Sequence, residues 1–525
     1  MQIVRLVTIV LASIVVPAVA AAQTPPKSGG TLTYAVTAEA PSTDCHAITT
    51  YAAVHVLAPH YSLLLKVDPD NYPRLKPDIA ESWSVSPDGL TFTFKIRSGV
   101  TFHDGSPLTS KDVRATFDRI RNPPGDIVSI RKELFADIAS IDAPDPATVV
   151  MRIKGPDASF LDTLALPFNC IYGAAKLAED ANSPAKTVMG SGPFVFVEHQ
   201  NGSHWVGKRF DKYWENGKPY LDGFRAVFIK SQAVVTALQG GQIQAEFRSI
   251  SPGERNQLVS ALKDKITVQE APWVCKVDLL FNTQSKPFDN SKVRQALSMA
   301  IDRWGGSDAL SKITILKAVG GPLLPGSPLA LGNDELTTLT GFGRDIEKAR
   351  TQAKALLAEA GASSLKFKLT NRNVNHPFTP LGVFTIDQWR RIGVTAEHQQ
   401  LDVSQQKATI ANGEYQVALD AFCADSDDPK PLLLPYLSKS RSPRNMTRSE
   451  TPQFDAVYDR FKNATNPTQR NSFAAEMQRM VIESANSVPM LWYSRLVAHV
   501  SSMKGWKIVA SHTANQDLAD VWLDQ

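Results

Sequence analysis

The chain has 525 residues, with 56 Lys and Arg against 52 Asp and Glu for a net charge of +4, and 43% of it is hydrophobic. So small an excess of charge over that length excludes the footprint of a nucleic-acid binder. The length suits two or three lobes, and the apolar content supports packed cores throughout, uninterrupted by low-complexity tracts or short repeats.

The first 22 residues carry Arg5, the apolar run Leu6 to Val16, a break at Pro17 and small residues at Ala18, Ala20 and Ala22. This pattern predicts a secretory signal peptide, with cleavage after Ala22 or, second, after Ala20. No cysteine follows the apolar run, so a lipid anchor is not expected, and no later segment approaches 18 uninterrupted apolar residues. Cys45, Cys170, Cys275 and Cys423 remain. In an oxidising compartment an even count points to two disulfides, and four cysteines allow three pairings.

A first strand is expected at residues 31–36, after Gly29 and Gly30. From Trp83 to Asp118 the chain reads WSVSPDGLTFTFKIRSGVTFHDGSPLTSKDVRATFD. Asp88 and Gly89 form a turn pair, and Leu90, Phe92, Phe94 and Ile96 then alternate with polar residues, the period of a half-buried strand. A second turn at His103, Asp104 and Gly105 precedes Thr109 and Asp112. Their capping-box spacing opens a helix through Val113, Phe117 and Ile120. Farther on, Gly190, Ser191 and Gly192 lead into a strand, and KRFDKYWENGKPYLDGFRAVFI follows. Val293, Ala296, Leu297, Ala300 and Ile301 mark the apolar face of a helix after LLFNTQSKPFDN. Asp345 caps another helix, which Gly361 ends. Between these helices GGPLLPGSPLALG is too rich in Gly and Pro for regular structure and reads as a surface loop.

The hairpin-to-helix run closely resembles the signature of the peptide-type (family 5) periplasmic solute-binding proteins of ABC importers. The resemblance continues in order through the segments above, then IDQWRRIGVTAEHQQLD, GEYQVALDAF and VPMLWYSRLVAHVSSMKGW. It implies an α/β, two-lobe periplasmic-binding-protein fold of class II, with an extra subdomain in lobe I. Carried onto this chain, lobe I would span 23–274 plus 490–525, its extra subdomain about 56–185, and lobe II 275–489. The crossings would lie near Trp273 to Leu279 and Val488 to Tyr493. The resemblance also implies Cys275–Cys423 and Cys45–Cys170 disulfides, a periplasmic location, a monomeric receptor without cofactor or metal, and an ABC permease as partner.

In members that take peptides, an aspartate following a Trp-Cys-Ala tripeptide holds the ligand's ammonium group. Here Phe422, Cys423 and Ala424 precede Asp425, which the resemblance makes the amine ligand. The Trp is replaced by Phe422, and the aromatic that often follows the aspartate is Ser426. The residues alone also fit an acidic turn closing a strand, with Asp427 and Asp428 solvated. Arg372 falls where dipeptide binders hold a carboxylate, a group that a guanidinium fork suits; a solvated loop arginine is the alternative. Thr49 and Thr50 stand where members offer hydroxyl and backbone contacts. Lys439, Arg441, Arg444 and Arg448 read as a solvated basic loop, or as a contact for an acidic ligand or the permease.

The expected function is therefore capture of a small peptide or peptide-like solute for an ABC permease. Alternatives are a non-peptide solute such as an opine, an oligosaccharide or a metal chelate, and, further off, a secreted hydrolase. Against an enzyme, the ten histidines form no HExxH pattern and there is no paired CxxC. Gly190, Ser191 and Gly192 lack the order of a nucleophile elbow, and His103 with Asp104 reads as a turn.

Overall fold

The protein is described by a computed structural model covering residues 25–374, 376–426 and 428–525. The expected signal peptide, residues 1–22, and Asp427 lie outside the described residues. Among those described, no helix is long and apolar enough to cross a membrane.

Two long antiparallel strands, Ile266–Phe281 and Ser487–Val500, run through the centre of an eleven-stranded mixed sheet. Their pairing is regular from Ile266 opposite Val500 to Pro272 opposite Ser494. It shifts, then resumes at Lys276 opposite Trp492. Pro272 has no N–H to give the ladder, so the break falls where the sequence withholds a donor. On one side of the break Ser487–Val500 pairs with Ala245–Glu246, which leads through Thr31–Val36 to Gly223–Phe228, His204–Arg209 and Phe194–Gln200. On the other side Ile266–Phe281 pairs with Val417–Cys423, followed by Lys366–Arg372 and Thr395–Leu401. Each long strand thus belongs to two packed bodies.

The bodies have separate cores. One gathers Tyr34, Leu57, Trp205, Phe224 and Phe247; the other gathers Leu279, Phe281, Leu297, Leu357, Trp389 and Leu419. A third core lies under a four-stranded antiparallel sheet, ordered Ala80–Val85, Thr91–Ile96, Thr148–Ile153 and Ile138–Asp145, and is covered by the helix Ser110–Arg121. Within it Phe92, Phe94 and Ile96 point inward. Thr109 and Asp112 form the reciprocal capping box, the Thr109 N–H donating to Asp112 Oδ2 at 2.7 Å. Asp345 caps the helix Ile346–Glu359, and Gly361 follows at φ +66°.

The surface-loop reading of GGPLLPGSPLALG needs correction. The segment is irregular, but Gly320 to Leu324 is buried, with Leu323 and Leu324 packed among Leu433, Tyr436 and Trp492. Its backbone is tolerable inside because Trp492 Nε1 donates to the Gly321 carbonyl at 3.0 Å. Cys45 is bonded to Cys170 and Cys275 to Cys423. Cys275 and Cys423 face each other directly across adjacent strands.

Candidate ligand-binding site

The break between the two bodies is where charged and aromatic side chains converge. Val417–Cys423 ends there, and the chain beyond it is pinned. The Ala424 N–H donates to the Val274 carbonyl at 2.9 Å, and the Val274 N–H to the Ala510 carbonyl at 3.2 Å. Ser511 Oγ donates to the backbone carbonyl of Asp425 at 2.6 Å. Asp425 is therefore fixed through its backbone, and its half-buried carboxylate makes no hydrogen bond or ion pair among the described residues. Burial raises its pKa, opposed by the charges of Arg131 and Arg444.

Within electrostatic reach of Asp425 is Tyr51 of the first body, at the start of the helix Tyr51–Leu57. Burial and then the Asp425 charge push the Tyr51 hydroxyl above its usual range, while Arg495 and Arg248 pull it down. One hydroxyl thus feels a carboxylate and two guanidinium groups. Tyr51 stacks on His512 with ring centroids 4.0 Å apart, His512 stacks on Trp273 at 5.4 Å, and Trp273 meets Tyr493 at 5.7 Å. His512 also shares an Nε2 to Nε2 hydrogen bond with His55 at 2.8 Å. Burial holds His55 down to about 3 and lowers His512 as well, so the pair is neutral at pH 7.

The cations are held differently. Arg131 Nη1 donates to the Ile48 carbonyl at 2.9 Å, its guanidinium lying 3.9 Å from the centre of the Phe168 ring. Arg372 is ion-paired with Asp420, which also binds Lys407 at 2.8 Å. Its guanidinium stacks 4.1 Å over Phe378, and its buried Nε has no partner among the described residues. Arg495 lies in the crossing strand Ser487–Val500, 5.8 Å over the Trp273 ring.

Other residues singled out by the sequence lie at the margin. Thr49 is exposed. Thr50 is exposed too, and caps the helix Tyr51–Leu57 by accepting from the Ala53 N–H at 3.4 Å. Phe422 is half-buried, with Lys276 Nζ 5.2 Å from its ring centre. Of the basic loop, Arg441 pairs with Asp459 and Arg448 donates to the Ala411 carbonyl, while Arg444 acts electrostatically on Asp425. His103 and Asp104 do not work together. His103 Nε2 meets the Gly192 carbonyl at 3.0 Å, and Asp104 accepts from Ser106. Gly190 and Gly192 lie against the backbone of His60 and Tyr61, where a Cβ would come within 2.2 and 2.5 Å. Close packing accounts for that motif.

Beyond Asp425 the two bodies touch through polar contacts. Lys430 Nζ pairs with Asp157 at 2.7 Å, Lys462 Nζ with Asp137 at 2.5 Å, and Arg470 Nη2 donates to Ser159 Oγ at 3.2 Å. The charged residues thus lie between a strand break at one end and a set of bridging contacts at the other.

Residues 74–444 match the profile of the bacterial extracellular solute-binding proteins, family 5. The chain belongs to this family. Among curated relatives it is 28% identical over 477 residues to the glutathione-binding protein GsiB of Salmonella typhimurium, covering 88% of each chain. Among solved structures, it resembles the periplasmic binding protein DppA of Helicobacter pylori in complex with the peptide STSA. The TM-score is 0.78 at 24% identity, over 95% of this chain and 99% of the other. It also resembles AgaA of A. tumefaciens R10 in complex with agropinic acid, with a TM-score of 0.77 at 23% identity over 94% and 99%. At these identities the structural likeness speaks for the fold, which is the two-lobe periplasmic-binding-protein fold of mixed α/β type. The curated relatives are named as binding proteins.

Arg131, Arg248, Arg495, Tyr51 and His512 escaped the sequence reading. A signal for one of them existed: Arg495 interrupts VPMLWYSRLVAHV, a run too apolar to leave a charge on a solvated face.

Proposed function

We propose that the protein captures a small peptide or peptide-like solute between its lobes, with Asp425 as receptor for the ligand's ammonium group, and passes it to an ABC permease. The observation that supports this most directly is the carboxylate of Asp425. It is partly buried, fixed through its backbone and unpaired among the described residues, and its charge acts on the Tyr51 hydroxyl from the other body. A carboxylate in such a place gains a charge-assisted hydrogen bond from an ammonium group, worth about 1.5–3 kcal/mol. Arg372, already paired with Asp420, is the candidate for an opposite pole of the ligand through its free Nε.

In this reading lobe I comprises 23–274 and 490–525, with its extra subdomain at about 56–185, and lobe II comprises 275–489. Closure is a hinge motion at the strand break, stabilised because the ligand bonds both lobes. No bond is made or broken. The mature chain would act in the periplasm as a monomer, after export by its signal peptide. The glutathione named for its relatives is a tripeptide with one ammonium group, and so a natural first probe.

The test is calorimetric titration with glutathione, dipeptides, tripeptides and N-acetylated counterparts, together with native mass spectrometry of whatever co-purifies. Saturable binding of a peptide with a free amino end, without product, is expected. Tight binding of acetylated peptides, or turnover, would refute the reading.

A further inference from the structure

Arg495 is 1% exposed. Its Nε and Nη1 are buried without a hydrogen-bond partner, and among the described residues no hydrogen bond or ion pair reaches any part of its guanidinium. Buried charges are ordinarily paired, because leaving one unpaired forfeits solvation with nothing in return. What surrounds Arg495 is the face of Trp273, the Tyr51 hydroxyl and, at longer range, Glu246. Glu246 does not neutralise it by contact. The Oε1 atom of Glu246 accepts from the Arg248 and Ser249 backbone N–H groups at 2.6 and 3.1 Å, and its Oε2 has no partner. Burial further holds the Glu246 carboxyl up to about 7, so its negative charge is only partial at neutral pH.

Cations are in surplus around these groups, Arg131 acting on Asp425 and Arg248, with Arg495, on Tyr51. Among the described residues Arg131 and Arg248 make no ion pair with a carboxylate, whereas Arg372 is matched by Asp420. Asp425 is the one acidic group shown above to act on both Arg131 and Tyr51. A ligand with one ammonium and one carboxylate would leave this surplus uncompensated.

We propose that Arg495 is an anion receptor in the ligand cleft, holding a second carboxylate of the ligand, so that the protein selects acidic peptides with one ammonium and two carboxylate groups. This rests on the reading of Asp425 as the ammonium receptor and adds the class of peptide. Trp273 and Tyr51 exclude water from the guanidinium, and an arriving carboxylate meets two or more free N–H donors in a fork of matching geometry. Selectivity then comes from the site itself: a peptide lacking that carboxylate leaves the buried cation unpaired.

The experiment compares glutathione, its two mono-amides and trialanine by calorimetry, on the wild-type protein and on Arg495→Met and Arg495→Lys. The wild type should bind glutathione about 30-fold or more tightly than one of the mono-amides, the size expected for an unmatched buried charge. In Arg495→Met that preference should vanish, and Arg495→Lys should keep part of it. Ligand-free Arg495→Met should melt no lower than wild type, because an unpaired buried cation has gone; a merely structural arginine would lower the melting temperature. Equal wild-type affinity for glutathione and both mono-amides, or an undiminished preference in Arg495→Met, would overturn the inference while leaving the peptide reading intact. Failure of the wild type to bind any peptide would overturn both. If Arg495→Met does not fold, Arg495→Lys carries the comparison: a wild-type preference left unchanged in it would overturn the inference.

Discussion

Replacing Asp425 by Asn changes one charge and almost nothing else. The backbone carbonyl that accepts from Ser511 Oγ at 2.6 Å is kept, as is the bond from the Ala424 N–H to Val274. The amide can still accept a hydrogen bond from an ammonium group, so what is lost is the ionic part of the contact. Truncating one partner of a buried charged pair costs roughly 2–5 kcal/mol. A retained acceptor and a half-buried position favour the low end, about 2 kcal/mol, or roughly 30-fold in affinity. Calorimetry should find this loss for a peptide with a free amino end and none for its N-acetylated form. Stability should move the other way. Burial raises the Asp425 pKa above its unfolded value, so folding disfavours the charged form and the ligand-free protein gains stability as pH falls through the raised pKa. The Asn variant removes that penalty and should melt at or above the wild-type temperature at pH 8. Unchanged affinity would refute the ammonium-receptor argument. A lowered melting temperature would instead mark Asp425 as a structural turn residue.

Three further outcomes are expected. Lys430→Met leaves the nearly buried Asp157 without its partner across the cleft; small-angle scattering should show a larger radius of gyration, and ligand affinity should fall by about threefold to tenfold. Gly192→Ala places a Cβ within 2.5 Å of the backbone at His60 and Tyr61, which cannot yield as a side chain could; chemical denaturation should report a loss of about 1–3 kcal/mol or more. Burial lowers His46, His55 and His60 each to about 3. Folded pKa values below the unfolded value mean that the unfolded chain takes up protons first, so stability is present above pH 6.5 and is lost as pH falls from there toward 3. Near pH 5 the three together should contribute a slope on the order of 4 kcal/mol per pH unit, and urea denaturation at pH 7, 6 and 5 checks the sign and size.

Local order was legible where side-chain period and capping act over a few residues. Thr109 with Asp112, Asp345 with Gly361 and the alternation of Phe92, Phe94 and Ile96 need only their neighbours to declare themselves. Residues 320–324 were misjudged because Gly and Pro content reports an irregular backbone and not its depth; Trp492, some 170 positions later, supplies the donor that lets Gly321 lie inside. The site was legible only in part for the same reason. Asp425 and Arg372 fall on recognisable motifs at strand ends, whereas Arg131 comes from the connection between the helix Ser110–Arg121 and the strand Ile138–Asp145, and its neighbour Phe168 is nowhere near it in sequence. Composition could not choose among three cysteine pairings, since cross-strand register decides which thiols meet. Arg372 illustrates a different limit: its place was indicated, but not its partner Asp420, which lies on the neighbouring stretch of sheet.

The placement of the charges bears on how closure and selectivity are joined. Asp425 belongs to the chain segment leaving Val417–Cys423, and Arg495 to the long strand on the other side of the break at Pro272. Among the described residues neither has an ionic partner of its own, so each would keep a desolvation cost that grows as the lobes approach and water leaves. A ligand bearing both an ammonium and a carboxylate group removes both costs at once, and a ligand bearing one removes only one. The equilibrium between open and closed forms is shifted only by a ligand's differential affinity for the two. The bridging pair Lys430–Asp157 adds the same modest stabilisation to closure whatever the cleft contains. Under the proposed function, discrimination among solutes would fall to the unpaired charges, and the hinge would convert that discrimination into the shape offered to the permease.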